Sequence, residues 1–435
     1  MKKLLKSIVL ATSMLALVSC ASTGNKNATE EKPAKVEEKA KSDKPFGIEE
    51  ENYESMIAMS LLSKGNNYRL KKVIEKLRAG ENVYIACLGG SVTEGAGPKD
   101  ASGKELWKLG YAYQFNEKIR QVYTTNKGAN VFFDGAGLSG TPSPLGLIRY
   151  ENDVVDQLGG EPDLLVIEFA VNDGGECTNQ RAFEQLIRNA LSKNQEAAVI
   201  ALYSAATYGN TQLQMKPVAD HYGIPSVSVM DIVKYAIGRS YFTKEGFYTD
   251  IVHPTKEGHE IMADCLMNVL AVADAAPADE PAPIPENYRL AKPLTNFTRI
   301  TGDDENVKIK AGGFYSKDPN TQGLKKKAGG FAPNNWYHKP GNANEPFVME
   351  INCKALVFDY KVQGSWLNEK FGKADVYVDG VKKATYDGGT PGGWNNNEIR
   401  MLIDEAEAGK HVVEVKMAEG SENLGFTIVA MGYSK

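Results

Sequence analysis

The chain has 435 residues, with 50 Lys and Arg against 55 Asp and Glu for a net charge of −5, and 42% of its residues are apolar. That composition excludes a fibrous or wholly disordered chain and leaves apolar surface for more than one core, but it carries no basic footprint of a nucleic-acid binder. Nucleic acid is not an expected partner, and the five His, at 221, 253, 259, 338 and 411, leave few candidates for any chemistry that needs imidazole.

At the start of the chain, Lys2, Lys3 and Lys6 precede an apolar run from Ile8 to Val18. This run is shorter than the ~20 residues needed to span a bilayer, and charged-then-apolar order marks an export signal. It closes in Leu17-Val18-Ser19-Cys20, which resembles the bacterial lipobox, so residues 1–19 are read as a lipoprotein signal peptide and Cys20 as the lipidated anchor. A plain secretory signal with Cys20 as bystander is the alternative. Residues 20–45, rich in Ala, Lys and Glu, cannot bury enough surface to fold and read as a disordered tether. The expected product is an exported bacterial lipoprotein, its membrane partner reached through the lipid, at the cell surface or periplasmic face. Cys87, Cys177, Cys265 and Cys353 form no CxxC pair, and the apolar surroundings of Cys87 and Cys265 favour buried free thiols.

A second break in composition falls at 275–287, where four prolines lie in an Ala- and acid-rich run expected to be a semi-rigid linker. It separates a domain at 46–274 from one at 288–435. In the first, amphipathic stretches near 50–63 and 67–78 precede apolar strands at 83–88, 130–133, 164–169, 198–203 and 226–230. Helical patterns such as 112–123, 181–191 and 257–269 separate them. Apolar strands alternating with helices predict a three-layer α/β/α fold with a mostly parallel sheet, whose site lies at the carboxyl ends of the strands.

Four loops at those ends carry polar candidates. Gly89-Gly-Ser-Val-Thr-Glu-Gly95 places Ser91 on a tight strand-to-helix turn, suited to a nucleophile, to a phosphate or merely to a structural turn. Gly135-Ala-Gly-Leu-Ser-Gly140 matches a dinucleotide fingerprint by letter, but Thr141-Pro-Ser-Pro144 breaks the helix that fingerprint requires, and the helical pattern resumes only near Leu145. A loop presenting the Gly140 amide fits better. Asn172, in Val171-Asn-Asp-Gly174, could turn the chain or donate its NH2 to an oxyanion. In Thr249-Asp-Ile-Val-His-Pro254, Pro254 keeps His253 out of a helix, and Asp250 can reach back to its Nδ1–H. A metal reading of Asp250, His253 and His259 has no HExxH or Cys/His cluster behind it, so no metal and no other cofactor is expected.

Together these blocks resemble the SGNH hydrolases, also called the GDSL esterase/lipase superfamily. Gly89-Gly-Ser-Val-Thr matches the nucleophile block and Gly137-Leu-Ser-Gly140 the glycine block; Ala170-Val-Asn-Asp173 and Asp250-Ile-Val-His253 match the asparagine and acid/base blocks. The match spans about 80–270. Gly90 stands where an Asp usually precedes the nucleophile, and Ala170 stands for a usual Gly; the Gly-Gly-Ser variant is similar to family members that act on carbohydrates. The resemblance implies Ser91 as nucleophile, His253 as base, Asp250 as its orienting acid, and an oxyanion hole from the amides of Ser91 and Gly140 and the side chain of Asn172.

The second domain reads as all-β, with strands near 357–362, 374–378, 412–416 and 426–430 and a hairpin signal at Asp379-Gly380. A β-sandwich or jelly roll is expected. Trp336, Trp366 and Trp394 lie in turn-rich segments and suit stacking on sugar rings, although each could instead plug the sandwich core. This order of domains is similar to bacterial carbohydrate acetylesterases. The expected function is a serine esterase that removes O-acetyl groups from a polysaccharide or oligosaccharide, the acetylated glycan being its partner. The alternatives are a lipolytic or thioester hydrolase of the same superfamily and a glycan-binding surface lipoprotein with a vestigial hydrolase domain.

Overall fold

A computed structural model describes residues 42–435 apart from 303, 323–331 and 368; the expected signal peptide, Cys20 and nearly all of the tether lie outside the described residues. The first sheet is built from β1 (Leu61–Ser63), β2 (Val83–Gly89), β3 (Val131–Gly137), β4 (Leu164–Glu168), β5 (Ala198–Tyr203) and β6 (Ser226–Ser228). Their order is β1-β6-β5-β4-β2-β3, and every pair is parallel except β1 with β6. Along β2, Ile85 and Cys87 enter one buried cluster while Ala86 and Leu88 enter another, so both faces are covered and the strand must be apolar throughout.

Local chemistry sets the boundaries. The stretch expected to be helical over 50–63 divides into a helix at Glu50–Ala58 and the edge strand β1. The strand expected to reach residue 230 stops at Ser228, whose hydroxyl accepts from Asp231 N at 3.1 Å and caps the helix Val229–Gly238. The helix expected to resume near Leu145 begins at Ser143, because Pro144 falls in the first turn, where a missing N–H costs nothing.

An eight-stranded antiparallel sheet follows, from β7 (Thr298–Arg299), β8 (Val307–Lys310), β9 (Trp336–His338), β10 (Phe347–Gln363), β11 (Lys373–Val378), β12 (Val381–Asp387), β13 (Trp394–Met417) and β14 (Phe426–Ser434). The long β10 and β13 pair from Phe347↔Val415 to Gln363↔Trp394, bulging on the way so that they serve both layers of a β-sandwich. Asp379 and Gly380, at φ +52° and +76°, make the expected two-residue turn between β11 and β12.

The two domains share a core. Leu138, Leu145 and Ile148 of the α/β domain pack with Ala332, Val357, Val429 and Ala430 of the β domain, and Ser42–Lys435 form one compact unit. The segment expected to be a spacer is bound along the α/β domain: Asn67 bonds Pro277 O and Asp279, and Arg188 donates to Pro285 O at 2.8 Å. Proline removed its own donors, but the carbonyls and acidic side chains between the prolines still found partners. Cys87, Cys265 and Cys353 are buried free thiols and Cys177 is an exposed one.

Candidate active site

Ser91 ends the turn after β2 and opens the helical turn Ser91–Glu94, so its own N–H has no partner within that turn. Its Oγ lies 2.9 Å from His253 Nε2, and His253 Nδ1 lies 2.6 Å from Asp250 Oδ2. The other Asp250 oxygen accepts from the amides of Val252 and His253 at 2.7 and 2.8 Å, a local Asx turn that holds the acid three residues before its base. Partial burial works to raise the Asp250 pKa, but the His253 ring and those two amides outweigh it and hold the carboxyl below its ordinary range. An ionised Asp250 places the ring proton on Nδ1, and Ser91 Oγ then donates to Nε2.

Gly140 takes φ +69°, a backbone that favours glycine, in the loop after β3. That loop is held from two sides. Glu94 Oε2 accepts from Ser139 N and Oγ at 2.8 and 2.6 Å, while Gln322 of the β domain donates to Ser139 O at 2.6 Å. Asn172 lies against Gly90, where an added Cβ would come within 1.9 Å of Asn172 Oδ1; a side chain at the family's usual Asp position would here displace that carboxamide. The structure thus brings Ser91, Gly140, Asn172, His253 and Asp250 to one rim.

Several supports carry no motif letter. Arg149, fully buried, donates to Gly89 O at 2.7 Å and Ala136 O at 2.8 Å, tying the ends of β2 and β3. Glu168, also buried, accepts from the Ser204 hydroxyl, from Thr93 Oγ1 at 3.2 Å and from Ala170 N at 3.2 Å, beneath both the nucleophile turn and the asparagine loop. Burial pushes its pKa up to about 7 against those hydrogen bonds. Asp173 takes Ser143 N and Oγ at 2.7 and 2.5 Å, and burial pushes it up to about 7 as well. Gly97, at φ +126°, lies so close to Pro254 O that a Cβ would come within 2.1 Å of it. The only sequence signal for these was an apolar strand that ends in Glu168 and a second glycine after Gly95.

The remaining candidates separate. Trp336 is only 7% exposed and packs edge-on against Phe347 at 5.5 Å in the sandwich core, so the expectation that it stacks on sugar is corrected: its faces are already covered. Trp366 is 65% exposed and lies over Gly364. Trp394, 43% exposed, brings its ring edge within 3.0 Å of where a Gly140 Cβ would stand, so the β domain reaches the site. His259 is a core histidine: Nδ1 accepts from Tyr111 N, Nε2 donates to Ala96 O, and burial lowers its pKa to about 4. No group of metal-ligating side chains occurs among the described residues.

Residues 87–261 match the GDSL-like lipase/acylhydrolase family. The structure of a two-domain esterase, CEX, active on acetylated mannans, superposes with a TM-score of 0.71 at 25% identity, covering 88% of this chain and 98% of that one. The same esterase co-crystallised with mannopentaose gives 0.70 at 24% identity over the same shares. No curated protein matches the sequence. The segment 87–261 is therefore a GDSL-like lipase/acylhydrolase domain, joined to an antiparallel β-sandwich, and the chain is a carboxylic ester hydrolase.

Proposed function

We propose that the protein removes O-acetyl groups from a glycan through an acyl-enzyme on Ser91. The observation that carries this reading is the contact chain Ser91–His253–Asp250, at 2.9 and 2.6 Å, with the exposed Trp394 set against the Gly140 loop. Ser91 Oγ attacks the ester carbonyl and its proton passes to His253 Nε2. The oxyanion forms among the amides of Ser91 and Gly140 and the Asn172 NH2. On collapse the C–O bond to the sugar breaks, and His253 returns the proton to the leaving alcohol. A water then gives a proton to His253 and attacks the acyl-enzyme, releasing acetate and restoring Ser91. Asp250 stabilises the imidazolium without taking its proton.

Trp394 and Trp366 supply aromatic faces on which sugar rings can stack beside the ester. The activity of the similar esterase CEX on acetylated mannans supports an acetylated polysaccharide as the substrate class. We further propose, on the pattern ending at Cys20, that the enzyme is an exported lipoprotein tethered at the cell surface or periplasmic face.

A chain-length series of aryl esters on protein beginning at residue 21 tests the assignment. Turnover is expected to fall steeply beyond propionyl, with acetate released from acetylated polysaccharide, and Ser91→Ala is expected to lose on the order of 10⁴-fold in kcat. Preference for octanoyl esters would replace this reading with a lipolytic one. Glycan binding with no ester turnover by the unaltered protein would leave only a binding role.

A further inference from the structure

The loop after β5 contributes nothing to the contact chain of Ser91, yet it holds an aromatic ring in water beside it. Its flanks are fixed to two catalytic loops. Thr207 N donates to Ile251 O at 2.9 Å, between Asp250 and His253, and Thr211 N donates to Ala170 O at 2.9 Å, two residues before Asn172. Between these anchors Asn210 Nδ2 donates to Ser204 O at 2.6 Å, and Ala206 and Gly209 exchange backbone hydrogen bonds at 3.2 and 3.0 Å. Gly209 at φ +115° closes the turn. At its tip Tyr208 is 65% exposed, and Ile251 on the adjoining loop is 63% exposed. A cavity of about 600 Å³ opens beside Tyr208, its wall including Met230, Val233, Ile237 and Tyr248 together with Lys234 and Lys244. Display of a large ring in water, on a turn pinned by backbone hydrogen bonds at Ala206, Thr207 and Gly209, is not needed to hold the fold.

We propose that Tyr208, with Ile251 and this cavity, is a second sugar-binding platform, so that a glycan chain lies across the active site and is held on both sides of the acetylated residue. The proposal rests on the glycan-ester reading above. Its geometry follows from strand order: the Gly140 loop, which Trp394 borders, follows β3, Ser91 follows β2, Asn172 follows β4 and Tyr208 follows β5. These strands are consecutive in the sheet, so three steps of about 4.8 Å put the two platforms roughly 15 Å apart with the nucleophile between them. One acetylated sugar cannot touch both, whereas several linked residues can. Because the loop is already ordered, stacking on Tyr208 incurs little further entropic cost.

The test uses protein beginning at residue 21 and chemically acetylated xylo-, cello- and manno-oligosaccharides of two and six units, with 4-nitrophenyl acetate and octanoate and anionic phosphatidylglycerol vesicles as further probes. Tyr208→Ala is expected to raise the KM for the hexamer about tenfold relative to that for the dimer and to leave the ratio of their kcat values in place, and Tyr208→Trp is expected to restore the discrimination. If the unaltered protein deacetylates both lengths and Tyr208→Ala leaves their KM ratio as it was, the platform is wrong and the glycan reading stands. If the unaltered protein turns over the aryl acetate but no oligosaccharide, the glycan reading fails and the platform with it. A Tyr208→Ala defect confined to octanoate turnover, or to vesicle binding, would assign the loop to an acyl chain or a lipid surface and overturn the proposal.

Discussion

Ser91 and His253 meet across 162 positions of sequence, and the atoms that keep them in register are mostly backbone atoms of other loops. Gly97 is one such point. Its φ of +126° is unfavourable for any side chain, and a Cβ would strike Pro254 O, the carbonyl directly after His253. Gly97→Ala is therefore expected to move the imidazole away from Ser91 and lower kcat by roughly 100-fold, with the melting temperature falling only modestly. Steady-state kinetics on an aryl acetate beside a thermal melt check this; unchanged kcat would show that the loop can yield without cost. The pairing of Asp250 with His253 was readable because the two lie three residues apart and Pro254 bars a helix. Arg149 and Gly97 were not readable, because each acts on backbone carbonyls that are remote in sequence and every residue type presents.

At the scale of elements, the ends of β2, β4 and β5 are joined by one buried carboxyl. Glu168 meets Thr93, Ala170 and Ser204, so the nucleophile turn and the asparagine loop rest on the same group. Its folded pKa of about 7 lies above its unfolded value, so the folded state binds the proton more tightly. Stability from this group is therefore fully present below the ordinary pKa of 4.5 and is lost as pH rises through about 7. Glu168→Gln is expected to remove that slope. Measured by urea denaturation at pH 5 and pH 8, unaltered protein should lose about 2 to 3 kcal/mol more than the variant over this interval. Equal changes in the two proteins would show that the carboxyl ionises freely where it lies. The strands β2 to β6 were legible from apolar periodicity, and the Asp379-Gly380 hairpin from its turn residues. The edge strand β1 was not, since three residues after a helix carry no period of their own and β6 imposes the extended form on them.

At the scale of the whole molecule, the β domain completes the α/β domain. Leu138, beside the Gly140 loop, and Leu145 and Ile148 are buried against Val357, Val429 and Ala430, Gln322 fixes Ser139, and Trp394 covers Gly140. Protein ending at residue 287 is expected to expose those three side chains, to melt more than about 10 °C lower or to aggregate, and to lose most ester turnover. Size-exclusion chromatography with a thermal melt checks this, and a monodisperse, fully active fragment would show that the shared core is dispensable.

Chain order and residue type alone determined the α/β-then-β architecture, the four polar loops and their place at the strand ends, because apolar periodicity and turn chemistry are local properties. Tertiary structure alone decided which tryptophans meet water and which domain covers the Gly140 loop. The burial of a ring in a turn-rich segment depends on what packs over it, and for Trp336 and Trp394 that includes distant sequence: the first pairs with Ile428 of β14, and the second borders Gly140.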